Sequence, residues 1–250
     1  MYTPFYMASG RLHPISVAVR DIATIFGRMG FGIAYGPELE DEWHNFDALR
    51  VPADHPARDM QDTFWTKEEP HRVPRTHTTS VSVRYLEQLA AEGKTEGRMI
   101  APSKVFRNEA TDSTHEAQFY QLDGFAVGPI GSVTLAHLKG TFDRFYQEYL
   151  GKDAKVRFRP SFFPFVEPGV EIDVWYEAPG KEGRWLEVAG AGMLHPEVIR
   201  NAGLDPEKVG GFAFGGGIER LLMIKHGIPD VRAFHGGDIR FVYGFDQTLS

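Results

Sequence analysis

The sequence predicts an α+β fold, a mostly antiparallel sheet with helices packed on it. Three observations predict it. Apolar residues recur at helical spacing in several separate stretches of the chain. Strand-like runs cluster centrally between them. Two of these runs flank a polar, turn-like segment, as a long antiparallel hairpin requires. The length of 250 residues suits one domain or at most two. No repeat, low-complexity tract or linker-like composition shift divides the chain. The expectation is a single domain over 1–250, with 1–11 as a short N-terminal extension.

In chain order, Ile15, Val19, Ile22, Phe26 and Met29 form one apolar stripe and predict the first helix. Gly30 and Gly32 end it and lead into a short strand at 33–35. A second helix is expected over 40–49, with acids in its first turn, where the helix dipole favours them. Residues 60–65 read as a strand and 81–91 as a helix. The hairpin is expected from strands at 99–109 and 118–127, joined by NEATDSTHEA. Leu135, Leu138, Phe142, Phe145 and Tyr149 repeat the helical stripe. Further strands are expected at 155–159, 171–176 and 185–189. A last helix starts after Gly215, Gly216 and Gly217 and runs to about residue 226.

Composition excludes several function classes. Hydrophobic residues are 42%, charged residues 24%, and the net charge is −7, which is globular and not a basic nucleic-acid coat. Cysteine is absent, so disulfides, thiolate metal sites and cysteine nucleophiles are excluded. No apolar run approaches the ~20 residues of a membrane-spanning helix. The N-terminal residues lack a basic start followed by an apolar core, so no signal peptide is expected. The expected place of work is the cytoplasm.

The hairpin carries the most chemistry. Strand side chains alternate faces, so Arg107 and Glu109 point one way, and Phe119, Gln121, Asp123 and Phe125 share a face. If the two faces coincide, the sheet offers a floor for a ligand carrying both charge and a ring. The same pattern also suits a solvated polar face. In FAFGGGIER, Arg220 lies in the first turn of a helix, where a cation opposes the dipole by ~0.3–1 kcal/mol. A bound phosphate would compensate; a salt bridge would also do so. Phe163 and Phe165 lie on one face of an extended, proline-stiffened stretch, which suits a pocket wall or core packing. Glu167 follows them and suits magnesium, which takes one or two carboxylates beside phosphate oxygens, or a plain surface position. His77 and His115 stand among hydroxyl residues and could bond a substrate or serve structure. No zinc spacing and no Gly-x-Ser-x-Gly motif occurs.

Six ordered strings then fix a resemblance: HPARDMQDTFW (55–65), RTHTT (75–79), VFRNEATDSTHEAQFYQLDG (105–124), FRPSFFPFVEPG (158–169), WLEVAGAGMLHP (185–196) and GFAFGGGIER (211–220). Together they strongly resemble the catalytic domain of the phenylalanine–tRNA ligase alpha subunits, which are class II aminoacyl-tRNA synthetases. The resemblance spans about 12–245. It implies an antiparallel sheet flanked by helices. It implies condensation of phenylalanine with ATP to an adenylate, then transfer to the 2′-hydroxyl of the terminal adenosine of tRNA(Phe). It implies Mg2+ and a beta subunit in an α2β2 assembly, with editing on the beta subunit.

The resemblance also implies residue roles. Arg107 grips the α-phosphate and Arg220 the γ-phosphate. Glu109 and His115 contact adenine and the outer phosphates, and Phe119 stacks on adenine. Glu167 ligates magnesium, with Glu187 as a second acid near the nucleotide. Phe163 and Phe165 meet the substrate ring, and Ala213 and Gly215 leave it room. Trp65, His77, Thr79, Gln121 and Asp123 surround the substrate's ammonium and carboxylate. Four residues depart from the family's usual pattern: Thr79 for serine, Ser80 for proline, Tyr120 for histidine and Asp123 for glutamate. The family's usual N-terminal helical arm is also expected to be missing here. Two other readings stay open: a noncatalytic paralogue that binds or regulates, and a synthetase for another amino acid such as phosphoserine.

Overall fold

The computed structural model describes residues 10–58, 62–177 and 182–245. Helix α1 spans Pro14–Arg28, with His13 capping it through Nδ1 and Pro14 in its first turn. A chain reversal leads to β1 (Gly32–Ile33), β2 (Leu39–Glu40) and the short helix α2 (Glu42–Asn45), capped by Asp41. The expected helix over 40–49 is thus broken in two. Phe46 leaves helical geometry, Asp47–Leu49 forms a separate 3-10 turn, and Arg50 closes it in the left-handed region. The expected strand at 60–65 falls partly outside the described residues. Residues 62–65 form no strand. There Thr63 donates to Ala57 O and Trp65 to Arg58 O, so side chains rather than a ladder hold the segment.

After β3 (Val73–Pro74) come α3 (Thr79–Ala91), β4 (Gly97–Phe106), β5 (Gln118–Pro129) and α4 (Leu135–Leu150). Then follow β6 (Val156–Phe163), β7 (Val166–Tyr176), β8 (Arg184–Leu194), α5 (Pro196–Asn201) and β9 (Val209–Gly217). Helix α6 (Ile218–His226), a 3-10 turn (Val231–Phe234) and α7 (Ile239–Tyr243) close the described chain. Strands β6, β7 and β8 are longer than expected, and β2, β3, β9, α5 and α7 are additional to the expected elements.

Seven strands make one sheet in the order β1-β4-β5-β9-β8-β7-β6. Among the described residues only the β1–β4 pair is parallel; the other pairs of this sheet are antiparallel. A separate antiparallel pair, β2–β3, lies outside it. Alternation assigns each residue to a face. One face carries Leu122, Ala126, Phe212, Phe214, Ile172 and Ala191 under α1, α4 and α6. There Phe214 stacks on Phe26 at 5.4 Å and meets Phe142 edge-on at 4.9 Å. The other face carries Met99, Ala101, Phe125 and Ala213, packed against α3, α5 and the Phe46–Leu49 turn. That second cover is incomplete. Where it stops, the middle of the sheet is open.

Candidate active site

The open part of the sheet is the floor of a cleft of about 830 Å3. Register explains what lies on it. Across β4 and β5, Ala101 pairs with Asp123, Ser103 with Gln121 and Val105 with Phe119. Arg107 lies one step past β4, where its N–H bonds Ala117 O and continues the alternation. Arg107, Phe119, Gln121 and Asp123 therefore share a face, as the sequence pattern requires. Across β5 and β9, Asp123 pairs with Gly215. Across β9 and β8, Gly215 pairs with Gly190.

The cleft has two chemically different ends. At the open end, Arg107, Glu109, His115, Phe119 and Arg220 all line it. The Arg107 guanidinium sits 5.1 Å over the Phe119 ring, and its Nε donates to Thr76 O at 3.1 Å. Glu109 Oε1 lies 3.8 Å from Arg107 Nη1, a loose and exposed pair. Arg220 donates to Glu187 O at 3.1 Å and forms no ion pair with a described carboxylate. Three guanidiniums, those of Arg107, Arg184 and Arg220, thus line one cavity beside an aromatic ring. Such an arrangement suits a phosphate chain attached to a flat base.

Beneath the closed end, against Gln121 and Gly215 of its lining, lies Asp123, which is 1% exposed and does not itself line the cavity. It accepts Thr79 Oγ1 at 2.6 Å and Gln121 Nε2 at 2.8 Å. Burial pushes its carboxyl up to about 6, against the pull of those bonds and of the Arg107 charge. Gln121 Oε1 and His77 Nδ1 are buried without a hydrogen-bond partner among the described residues. An unpaired buried acceptor costs roughly 1–3 kcal/mol, so a ligand donor is well placed to relieve it. His77 is held neutral, its pKa lowered to about 4 by burial and by the Arg107 charge.

Glycine is required at two floor positions. A Cβ at Gly215 would stand 2.2 Å from Asp123 Oδ1, and one at Gly190 would stand 2.7 Å from Phe163 Cζ. The Phe163 ring therefore lies against the floor strand itself. Phe165 stacks beside it at 6.0 Å. Asp123, Gly215, Gly190 and Phe163 form a continuous path from a charged end to an apolar wall. Ala213 follows Gly215 on the same face, buried and paired with Phe125.

Of the expected residues, Trp65, His77, Thr79, Asp123, Phe163, Phe165, Glu167 and Ala213 do not themselves line the cavity; Asp123 and Phe163 lie directly against Gly215 and Gly190, which do, whereas Trp65 and Glu167 stand further off. Trp65 stacks on Phe46 at 6.0 Å, packs against the second core and does not line the cavity. Glu167 is exposed at the start of β7 and does not line the cavity. Glu187 does line it. Its carboxylate makes no bond to a described side chain, and partial desolvation beside Glu171 and Asp173 raises its pKa. Glu171 and Asp173 are themselves tied to Arg157 and Arg159. Glu187 is exposed, as Glu167 is, and each offers the oxygen donor that magnesium takes beside phosphate oxygens. Among the described residues, Glu40, Asp41 and His44 also converge. Arg84 grips Glu40 in bidentate fashion at 2.9 and 2.6 Å, which occupies that cluster.

Sequence reasoning missed Gly190. Its signal was the period-two glycines at 190 and 192 in a strand. It also assigned no role to Glu219, whose burial only the fold reveals.

Comparison with known proteins agrees with this geometry. A profile of the tRNA synthetases class II core domain (F) matches residues 3–245. The phenylalanine–tRNA ligase alpha subunit of Stenotrophomonas maltophilia (strain R551-3) is 48% identical over 234 residues, covering 94% of this chain and 68% of the relative. That of Xanthomonas oryzae pv. oryzae (strain MAFF 311018) is 47% identical over 236 residues, covering 94% and 69%. A pyrrolysyl tRNA synthetase from Desulfitobacterium hafniense superposes with a TM-score of 0.67 at 16% identity, over 88% of this chain and 72% of that one, a likeness of fold. The chain belongs to the class II tRNA synthetase core-domain family, on the branch of the phenylalanine–tRNA ligase alpha subunits.

Proposed function

We propose that the cleft activates phenylalanine with ATP and passes the product to tRNA(Phe), as the alpha catalytic subunit of an α2β2 ligase working in the cytoplasm. The whole chain acts as one adenylation domain. The observation that carries this reading is the closed end of the cleft. Buried Asp123, with Gln121 Oε1 unpaired beside it, sits next to an aromatic wall and a glycine floor. That is a receptor for an ammonium attached to a ring.

The substrate carboxylate is the nucleophile. Its oxygen bonds the α-phosphorus of ATP, the bond to the bridging oxygen breaks, and pyrophosphate leaves with the electron pair. No protein nucleophile is needed, which suits a chain without cysteine. Catalysis then rests on position and charge. Arg107 meets the α-phosphate and holds it over Phe119, on which adenine stacks. Arg220 meets the γ-phosphate, and Glu109 and His115 contact adenine and the outer phosphates. Phe163 and Phe165 take the benzyl ring, and Gly215 and Ala213 leave it room. Thr79 and Gln121 hold Asp123 toward the ammonium, with neutral His77 beside the carboxylate. Trp65 supports this end through Phe46. Glu167, with Glu187 as the second acid, would hold magnesium, which would supply neutralisation of the phosphate charge.

Exchange of labelled pyrophosphate into ATP tests the reading, with and without phenylalanine and a cognate beta subunit. Phenylalanine-dependent exchange is expected once the beta subunit is present. Absence of exchange in both arms, from folded protein, contradicts the reading and favours a noncatalytic binding module.

A further inference from the structure

In the lining of the open end of the cleft, one buried carboxylate joins three segments. Glu219 is the second residue of α6 and is 3% exposed. Both its oxygens accept the backbone N–H of Tyr120, at 2.8 and 2.9 Å. Tyr120 lies on β5 between Phe119 and Gln121. Glu219 is adjacent to Arg220. One carboxylate thus fixes the spacing between the ring and the guanidinium that flank the cavity.

The 3-10 turn Val231–Phe234 completes the lock. His235 Nε2 lies 3.4 Å from Glu219 Oε1. Val231 N donates to Ser113 O at 3.0 Å, within the 107–117 loop that carries Arg107, Glu109 and His115. Phe234 O bonds His13 Nε2 at 2.9 Å. His13 Nδ1 accepts the Ile15 N–H, so Nε2 carries the proton and donates. The turn is therefore pinned to α1, to α6 and to the loop.

We propose that Glu219 and His235 are positioning residues for the nucleotide end of the cleft: they hold β5, α6 and the 107–117 loop in one register, so that Phe119, Arg220 and Arg107 face the same ligand. The proposal rests on the ATP reading of that end. It separates the two ends of the cleft, because neither residue touches Asp123, Thr79 or Phe163.

The lock is pH-sensitive in a stated direction. Glu219 raises the His235 pKa, and the Glu116 charge raises it further. A raised histidine contributes fully below its ordinary value and loses its contribution as pH rises through the folded value. His13, whose Nε2 donates to the turn, has a lowered pKa, chiefly from burial, and Asp230 and Arg232 of the turn pair with each other.

The test compares wild type, Glu219→Gln, His235→Asn and the double variant, each with the beta subunit. Affinities for ATP and for phenylalanine are measured separately by calorimetry. Amide exchange over 107–117 is followed without nucleotide. Glu219→Gln is expected to weaken ATP binding about tenfold, as for one charge-assisted bond, and phenylalanine binding less than about twofold. His235→Asn is expected to remove the decline of ATP affinity with rising pH. In the Glu219→Gln background it is expected to add little. Exchange in 107–117 is expected to rise in both single variants. Equal weakening of both ligands, or unchanged exchange in 107–117, overturns the positioning role. Failure of wild type to bind ATP overturns the reading of the cleft instead, and the exchange data still decide whether the lock orders the loop.

Discussion

The two ends of the cleft are built on opposite principles. The proposed nucleotide end is open, charged and loosely bonded: Arg107 and Arg220 reach it from different elements, and each donates to one backbone carbonyl. The proposed amino-acid end is enclosed and bonded within itself: Thr79 and Gln121 donate to Asp123. A large polyanion needs mobile countercharge and a wide mouth. A small zwitterion needs a fixed, desolvated partner, because selectivity comes from polar groups that the wrong ligand leaves unpaired. One sheet provides both, since cover by α3 and α5 stops partway along one face.

Substitutions can break this comparison. The largest effect is expected from Arg220→Ala, which removes charge where it develops. Exchange activity should fall ~10²–10³-fold while phenylalanine affinity holds. Equal loss of both would show that the ends are not separate. Next is Asp123→Asn, expected to weaken phenylalanine binding ~10–100-fold, the worth of a buried charged hydrogen bond. The wild type should also lose phenylalanine affinity as pH falls through about 6, because protonation removes the charge that meets the ammonium. The variant should lack that limb in a calorimetric pH series.

That same raised carboxyl makes a stability statement. The folded protein binds this proton more tightly than the unfolded chain, so Asp123 contributes less stability as pH rises from about 4 through about 6. Neutral His77 contributes the reverse, gaining as pH rises from about 4 to its ordinary value. A thermal-melting series across that range should therefore show a shallow slope in wild type and a steeper rise with pH in Asp123→Asn.

Gly215→Ala should raise the KM for phenylalanine about tenfold and leave that for ATP near wild type, since the new Cβ meets Asp123 first. The smallest effect is expected from Phe163→Leu. It keeps apolar volume but loses ring geometry, a change of about 0.5–1.5 kcal/mol in phenylalanine affinity. Titration calorimetry resolves that difference.

The hairpin was legible because strand alternation is strict. The face shared by Phe119, Gln121, Asp123 and Phe125 follows from period two alone, and the fold keeps it. Strand β9 was not legible. Five of its nine residues are glycine, which is weak in strands and hides the strand pattern. Their value appears only where neighbouring strands crowd the floor. The 40–49 segment kept a helical pattern, yet Phe46 and Arg50 turn the backbone so that Phe46, Ala48 and Leu49 enter the second core. Tertiary packing overrode local preference there. Glu167 and Glu187 show the same limit for sites. Both are acids on neighbouring strands, and only the sheet tells which one meets the cleft.

The most direct measurement is a crystal structure of the chain, with its beta subunit, bound to a nonhydrolysable phenylalanyl-adenylate analogue. The account predicts adenine stacked on Phe119 beneath Arg107, the ammonium between Asp123 and Gln121, and the benzyl ring against Phe163 and Phe165. An analogue bound with its ring at the Phe119 end, or its ammonium away from Asp123, would contradict the division of the cleft into a charged open end and a pre-bonded closed one.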